Sequence, residues 1–238
     1  YAAMVDRMDQ GIGRILEKIR ELGQEDNTLI LFLSDNGGCG ENIDNTPDRV
    51  PGGVDTYTTV DALWANASNT PFRKYKAFDH EGGISTPLIA CWPNVIEPGT
   101  ITHQMGHVID FLPTFAELGE AEYPLHFNGH DILPLEGKSL APILRGEERQ
   151  GHDSLFWEMA QCRAVRKGIW KAVSMGPERN GYGGHYIPAG HENWELYNME
   201  IDRCELNDLS SAHPEIVNEL DGMWQRWFER CQRDKVEQ

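Results

Sequence analysis

The sequence predicts an α/β chain that closes with a small antiparallel sheet and one helix. Three observations carry that prediction. The chain opens with an amphipathic helical pattern followed by an uncharged strand-like run. It turns to short alternating segments beyond about residue 150, and it ends in a second amphipathic stretch. With 238 residues there is room for one large domain or two modest ones. The change of texture places the boundary between 1–150 and 151–238.

The first element is YAAMVDRMDQGIGRILEKIRELG, where Met4, Val5, Met8, Ile12, Ile15, Leu16, Ile19 and Leu22 recur at three- and four-residue intervals. That spacing gives one apolar face of a helix, and Gly23 stops it. Gly11 and Gly13 lower its intrinsic propensity. The run TLILFL has no charge and reads as a strand buried on both faces, as in a parallel sheet. It ends at Ser34-Asp35-Asn36-Gly37-Gly38. From Gly38 to Thr70 the composition is Gly, Asn, Asp, Thr and Pro with little periodicity, a long loop of the kind that carries function. PFRKYKAFDHEGG then leads into TPLIACW, a second buried strand closed by Pro93. HVIDFLPTFAELG reads as a helix with Pro113 near its first turn, and SLAPILRG as a short helix. SLFWEM, CRAVRKG, IWKAVSM and NWELYNM form an antiparallel meander, interrupted by the Gly-rich GPERNGYGGHYIPAG. HPEIVNELDGMWQRWFERC is the closing helix, and Trp157, Trp170, Trp194, Trp224 and Trp227 are expected in the core of this last unit.

Composition excludes several classes. The 21 Lys+Arg against 38 Asp+Glu give −17, which repels nucleic acid and anionic lipid. No apolar run approaches the roughly 20 residues of a membrane-spanning helix. Cys39, Cys91, Cys162, Cys204 and Cys231 form no CxxC pair, so a zinc ribbon and a dense disulfide scaffold are out; one disulfide stays open. The chain begins at Tyr1 without initiator Met or signal peptide and reads as a piece of something longer.

Asp35 and Asn36 sit where open α/β sheets place their sites, at the carboxyl end of the strongest strand. A carboxylate and a carboxamide oxygen are hard ligands suited to calcium or magnesium. Asp-Asn-Gly is also strong turn chemistry by itself, and two ligands do not close a metal site. Arg73, Lys74 and Lys76 form a basic island with no acid among them, either an anion-binding group or a solvated turn. Glu81-Gly82-Gly83 beside it lets backbone approach closely. The pairs His103/His107 and His126/His130 have helical zinc spacing but lack the Glu of HExxH, and read as surface or packing residues. No GxSxG, Walker A or dinucleotide fingerprint is present. Asn66-Ala67-Ser68 is a formal glycosylation sequon.

These blocks, taken in order, resemble the C-terminal half of type I sulfatases, the arylsulfatase group of the alkaline-phosphatase superfamily. YAAMVDRMDQGIGRIL and LILFLSDNGG are similar to the helix and the metal-binding strand of that family. NTPFRKYKAFDHEGGISTPLIACWP is similar to its sulfate-contacting lysine segment, and HVIDFLPTFAELG, LFWEM, RAVRKGIWKAV and WELYNMEIDRCELNDL to later blocks. The resemblance implies part of an alkaline-phosphatase-like α/β sandwich, followed by the small sheet and helix. It makes Asp35 and Asn36 two of four protein ligands to calcium (or magnesium), and Lys76 the lysine that holds the sulfate. Lys74 is the alternative register, Arg73 supports the loop, and His80 lies near the site without an assigned role.

The family's nucleophile is a formylglycine made within Cys/Ser-x-Pro-x-Arg. That motif is absent here; Cys91-Trp92-Pro93-Asn94-Val95 has Val95 where arginine is required. The resemblance therefore places the nucleophile and two aspartate ligands in an N-terminal half of the same enzyme. It implies a small-molecule or carbohydrate sulfate ester as substrate, with Gly38–Thr70 selecting the alcohol, and a periplasmic or extracellular setting. A phosphodiesterase or phosphonate monoester hydrolase of the same superfamily, or an inert accessory fragment, are the alternatives.

Overall fold

The structure is a computed structural model that describes residues 1–159, 162–175 and 194–236. The Gly-rich GPERNGYGGHYIPAG lies outside the described residues. Packing divides the chain into two compact units, Tyr1–Leu33 with Leu88–His152, and Ser34–Pro87 with Asp153–Gln238. The first 150 residues thus contribute to both units.

In the first unit, α1 (Ala2–Glu21) runs as its apolar spacing requires and turns out at Gly23, where φ is positive. None of its residues is buried. The uncharged run forms β1 (Ile30–Phe32), paired with β2 (Ile89–Cys91) in the register Ile30↔Cys91, Leu31↔Ala90, Phe32↔Ile89. The pairing is antiparallel, and Phe32 and Ile89 are exposed, which corrects the expectation of a parallel strand buried on both faces. An uncharged run records a demand for cover on both sides; it carries no information on the direction of the neighbouring strand.

HVIDFLPTFAELG begins with a 3-10 turn, Val108–Asp110, and continues as α4 (Phe111–Leu118), with Pro113 in the first turn as the sequence predicts. Asp110 is fully buried and has four donors: the backbone N–H of His107 and of Lys138, Arg149 Nη2 at 2.8 Å and His152 Nε2 at 2.7 Å. Burial by itself pushes this carboxyl up, but these bonds hold it below the ordinary carboxylate value. The strap 138–152, which includes α5 (Ala141–Leu144), is thereby fastened to α4. His103 is exposed, and His107 Nδ1 accepts from Ile109 N, a capping role. His126 and His130 are exposed on a two-residue hairpin, β3 (His126–Phe127) and β4 (His130–Asp131).

The second unit is built on the expected meander: β5 (Ser154–Met159), β6 (Cys162–Lys167), β7 (Trp170–Ser174) and β8 (Glu195–Asn198), antiparallel in that order. Helix α6 (Pro214–Val236) covers one face, where Ile216, Val217, Leu220, Met223, Trp224 and Trp227 pack with Val165, Ala172, Trp194 and Leu196. Trp224 Nε1 donates to the Trp157 carbonyl and Trp194 Nε1 to Asp221, so both buried indoles are satisfied. The opposite face carries Ala164, Val173, Tyr197 and Met199 together with the charged Lys171 and Glu195. That face is covered too, by the segment 73–85 described below, which includes the short helix α3 (Glu81–Ile84). Helix α2 (Asp61–Ser68) interrupts the stretch that the sequence reads as a long loop; in its first turn Asp61 Oδ1 accepts from Leu63 N. Among the described residues no disulfide is formed, and no helix is long and apolar enough to cross a membrane.

Candidate active site

Two glycine-rich stretches of the second unit, 34–40 and 71–85, interlock. Gly37 N donates to Gly83 O at 3.0 Å, Lys76 N to Gly38 O at 3.0 Å, and Gly82 N to Arg73 O at 2.9 Å. The backbones approach so closely that a Cβ on Gly37 would stand 1.8 Å from Gly82 O, and one on Gly82 would stand 2.1 Å from Arg73 O. Only glycine fits either position. The loop holding Asp35 and Asn36 and the segment holding Lys76 are therefore one backbone-bonded block.

Within it, Asp35 is exposed and its carboxylate makes no hydrogen bond or ion pair among the described residues. Asn36 uses its amide nitrogen on Gly37 O at 2.9 Å, leaving Oδ1 as an acceptor. Both oxygens are hard donors, so the pair fits calcium or magnesium chemically. Among the described residues no group of three or more His, Cys, Asp or Glu that could hold a metal ion is present, so the pair does not by itself close a metal site. Lys76 is half-buried and its ammonium has no ion-pair partner among the described residues. Lys74, the other register, sits at positive φ with its ammonium 5.1 Å from the Phe78 ring centroid. Burial, and then Arg73, lower its pKa.

Arg73 supports the loop: its guanidinium donates to Tyr197 Oη at 3.0 Å and to the Glu205 carbonyl. His80 is fully buried, with Nε2 3.0 Å from Glu195 Oε2. Burial alone would raise the Glu195 carboxyl, yet hydrogen bonds from His80 and Tyr197, with Arg73 nearby, hold it at about 2. Tyr197 is pushed the other way, by burial and by that same carboxylate. His80 is thus committed to the interior.

Beneath Glu81 lies a charge cluster. Lys171 is fully buried on β7 and meets Glu81 at 2.9 Å and Glu205 at 2.8 Å. Arg203 reaches Glu81 at 3.1 Å, and Glu81 N donates to Glu205 Oε2 at 2.8 Å. Desolvation disfavours the charges of Glu81 and Lys171; Lys171 and Arg203 nonetheless hold Glu81 at about 2, and the two glutamates keep the lysine raised. Lys171, Glu195 and Glu205 escaped the sequence reading. The one signal available was Lys171, a charge inside the strand IWKAVSM where the neighbours are apolar.

Comparison with known proteins matches this architecture. The family model Sulfatase covers residues 1–121, and the model N-sulphoglucosamine sulphohydrolase, C-terminal, covers residues 72–229. The chain belongs to the sulfatase family. It is 34% identical to an uncharacterized sulfatase of Schizosaccharomyces pombe over 94% of this chain and 42% of that protein. It is 33% identical to the steryl-sulfatase of Homo sapiens, over 89% of this chain and 36% of that protein. The solved structure of Ps i-CgsB in complex with k-i-k-neocarrahexaose superposes with a TM-score of 0.67 at 25% identity, over 95% of this chain and 42% of that one. The fold is accordingly part of the alkaline-phosphatase-like sulfatase fold. The chain spans about two fifths of the length of these relatives.

Proposed function

We propose that this chain is the C-terminal portion of a calcium-assisted sulfatase whose formylglycine nucleophile is supplied by an N-terminal half. The observation that carries the reading is the interlock itself. In a chain of this family, Gly37 N–Gly83 O and Lys76 N–Gly38 O bind the Asp35/Asn36 loop and the Lys76 segment into one block. In this reading Asp35 and Asn36 give two oxygens to the cation, with the remaining ligands in the N-terminal half. Calcium, when bound, neutralises charge on the sulfuryl oxygens. Lys76 contributes a compact point charge to the same oxygens, worth most where water is excluded. Arg73, Tyr197 and the Lys171 cluster bear no part in the chemistry; they hold the segment from which Lys76 projects.

The substrate class is a sulfate ester, either a small molecule or a carbohydrate. The relatives include a steryl-sulfatase and a protein solved with an oligosaccharide, so the alcohol is left to the loop 38–70.

The test is turnover of 4-nitrophenyl sulfate by the chain joined to its N-terminal half, with Lys76→Ala alongside. The expected result is loss of about 10²–10³ in kcat/KM for Lys76→Ala, and no turnover by the 238-residue chain alone. Undiminished activity in the variant overturns the role of Lys76, and preferential turnover of a phosphate diester overturns the sulfatase reading. Calorimetric titration of this chain alone with calcium should find weak binding; sub-micromolar affinity would show that the missing ligands are not needed.

A further inference from the structure

The side chain of Asn69 connects the two halves of the candidate site. Asn69 follows the last turn of α2, and its two polar atoms face different segments. Oδ1 accepts from Gly38 N at 2.9 Å, thirty-one residues away in sequence. Nδ2 donates to Lys74 O at 3.0 Å. The partners fix the orientation, because an N–H requires the oxygen and a carbonyl requires the NH₂; a flipped amide would face both wrongly. A carboxamide offers an acceptor and a donor in the same plane, and an ionised carboxylate, which has acceptors only, does not reproduce the bridge.

The surroundings leave the bridge little slack. Ala65 on α2 is fully buried, and its carbonyl would stand 2.9 Å from a Cβ on Gly38. Asn69 Nδ2 would stand 3.1 Å from a Cβ on Gly37. Asn69 O accepts from Phe72 N at 2.9 Å, so the residue also sets the turn into the lysine segment. The amide thus spans from the residue two beyond Asn36 to the residue two before Lys76.

We propose that Asn69 is a positioning residue. One arm of its side chain sets the Asp35/Asn36 pair, the other sets the backbone from which Lys76 projects, and the amide fixes the spacing between cation and lysine. The functional half of this inference rests on the sulfatase reading; the bridging half rests on the geometry alone. The two arms are separable. Asn69→Asp keeps an acceptor for Gly38 N–H but faces the Lys74 carbonyl with an oxygen, whereas Asn69→Ala removes both arms.

Hydrogen exchange on the 238-residue chain reads the bridge without any activity. The Gly38 amide should exchange about tenfold faster in Asn69→Ala and within about twofold of wild type in Asn69→Asp. In the enzyme joined to its N-terminal half, Asn69→Asp should leave the calcium concentration for half-maximal activity within about twofold of wild type. It should raise KM for 4-nitrophenyl sulfate, and weaken inhibition by inorganic sulfate, by about tenfold. Asn69→Ala should move all three. A general structural role would shift the constants together in both variants, and that result, or unchanged Gly38 exchange in Asn69→Ala, overturns the proposal. Asn69→Asp is close to isosteric, so it keeps the test decisive if Asn69→Ala does not fold. If exchange separates the arms but the wild-type enzyme responds to neither calcium nor sulfate, the sulfatase reading has failed and the bridge stands.

Discussion

Asp79 gives the most quantitative handle on the packing beneath the site. It is 2% exposed, and its Oδ2 has no hydrogen-bond partner among the described residues. Burial pushes its carboxyl up from 3.8 to about 7; Lys171 pulls it down and Glu158 pushes it further up. A carboxyl whose folded value exceeds its unfolded value holds its proton more tightly in the native state. Its favourable contribution is therefore complete below 3.8 and is lost as pH rises through 7. Roughly three pH units at about 1.4 kcal/mol each amount to about 4 kcal/mol across the whole window. Between about pH 5.5 and about pH 8.5 the unfolded chain is already ionised, so the native proton alone is at stake, worth about 2 kcal/mol. Asn in place of Asp79 removes that titration. Urea unfolding followed by tryptophan fluorescence, at both pH values, should show wild type losing about 2 kcal/mol more than Asp79→Asn. Other titrating groups are common to both proteins and cancel, as does any pH-independent cost of the amide. Parallel losses in the two proteins would refute the reasoning and mean that Asp79 is ionised in the native state throughout.

Three further perturbations follow, two of them in the same unit and one on α1. Lys171→Met leaves Glu81 and Glu205 buried without their shared cation, and should destabilise by about 3–5 kcal/mol in a denaturant titration; a change under about 1 kcal/mol would mean the cluster is solvated. Gly82→Ala should lie at or beyond the upper end of the about 1–3 kcal/mol seen for overpacking, since its Cβ meets backbone oxygens. Gly11→Ala on α1 meets nothing within 4 Å and should instead stabilise by about 0.5–1 kcal/mol, read by circular dichroism.

Local pattern was enough to read α1, α4 and the four strands of the meander, because each announces itself by periodicity, a cap or a breaker within a few residues. The tryptophans of the last unit were legible for a related reason: Trp224 and Trp227 share the apolar face of α6. Pairing direction was not legible, since β1 and β2 are separated by more than fifty residues and nothing in TLILFL specifies the neighbour's orientation. Within the candidate site, Asp35, Asn36 and Lys76 stood out by residue type and by family resemblance. Asn69, Glu195 and Glu205 did not, because their roles arise from partners far away in sequence. Asn69 reads locally as an ordinary helix-ending turn residue, and only the contact with Gly38 reveals its second partner. The paired glycines were visible as Gly37-Gly38 and Gly82-Gly83, but that each pair exists to admit the other is a tertiary fact.

The division of the sheet unit between 34–87 and 153–238 bears on the order in which the molecule can be made. A ribosome delivers the loops carrying Asp35 and Lys76 well before the strands that support them. Until β7 and β8 emerge, Glu81 has no Lys171, Arg73 has no Tyr197, and His80 has no Glu195. Glu205, which binds the Glu81 backbone and meets Lys171, comes later still. The early segment must therefore wait for these partners, and its settling closes a long loop at one step rather than growing residue by residue. A nascent chain that ends between Lys76 and Glu205 carries Asp35, Asn36 and Lys76 yet lacks part of the floor on which they rest.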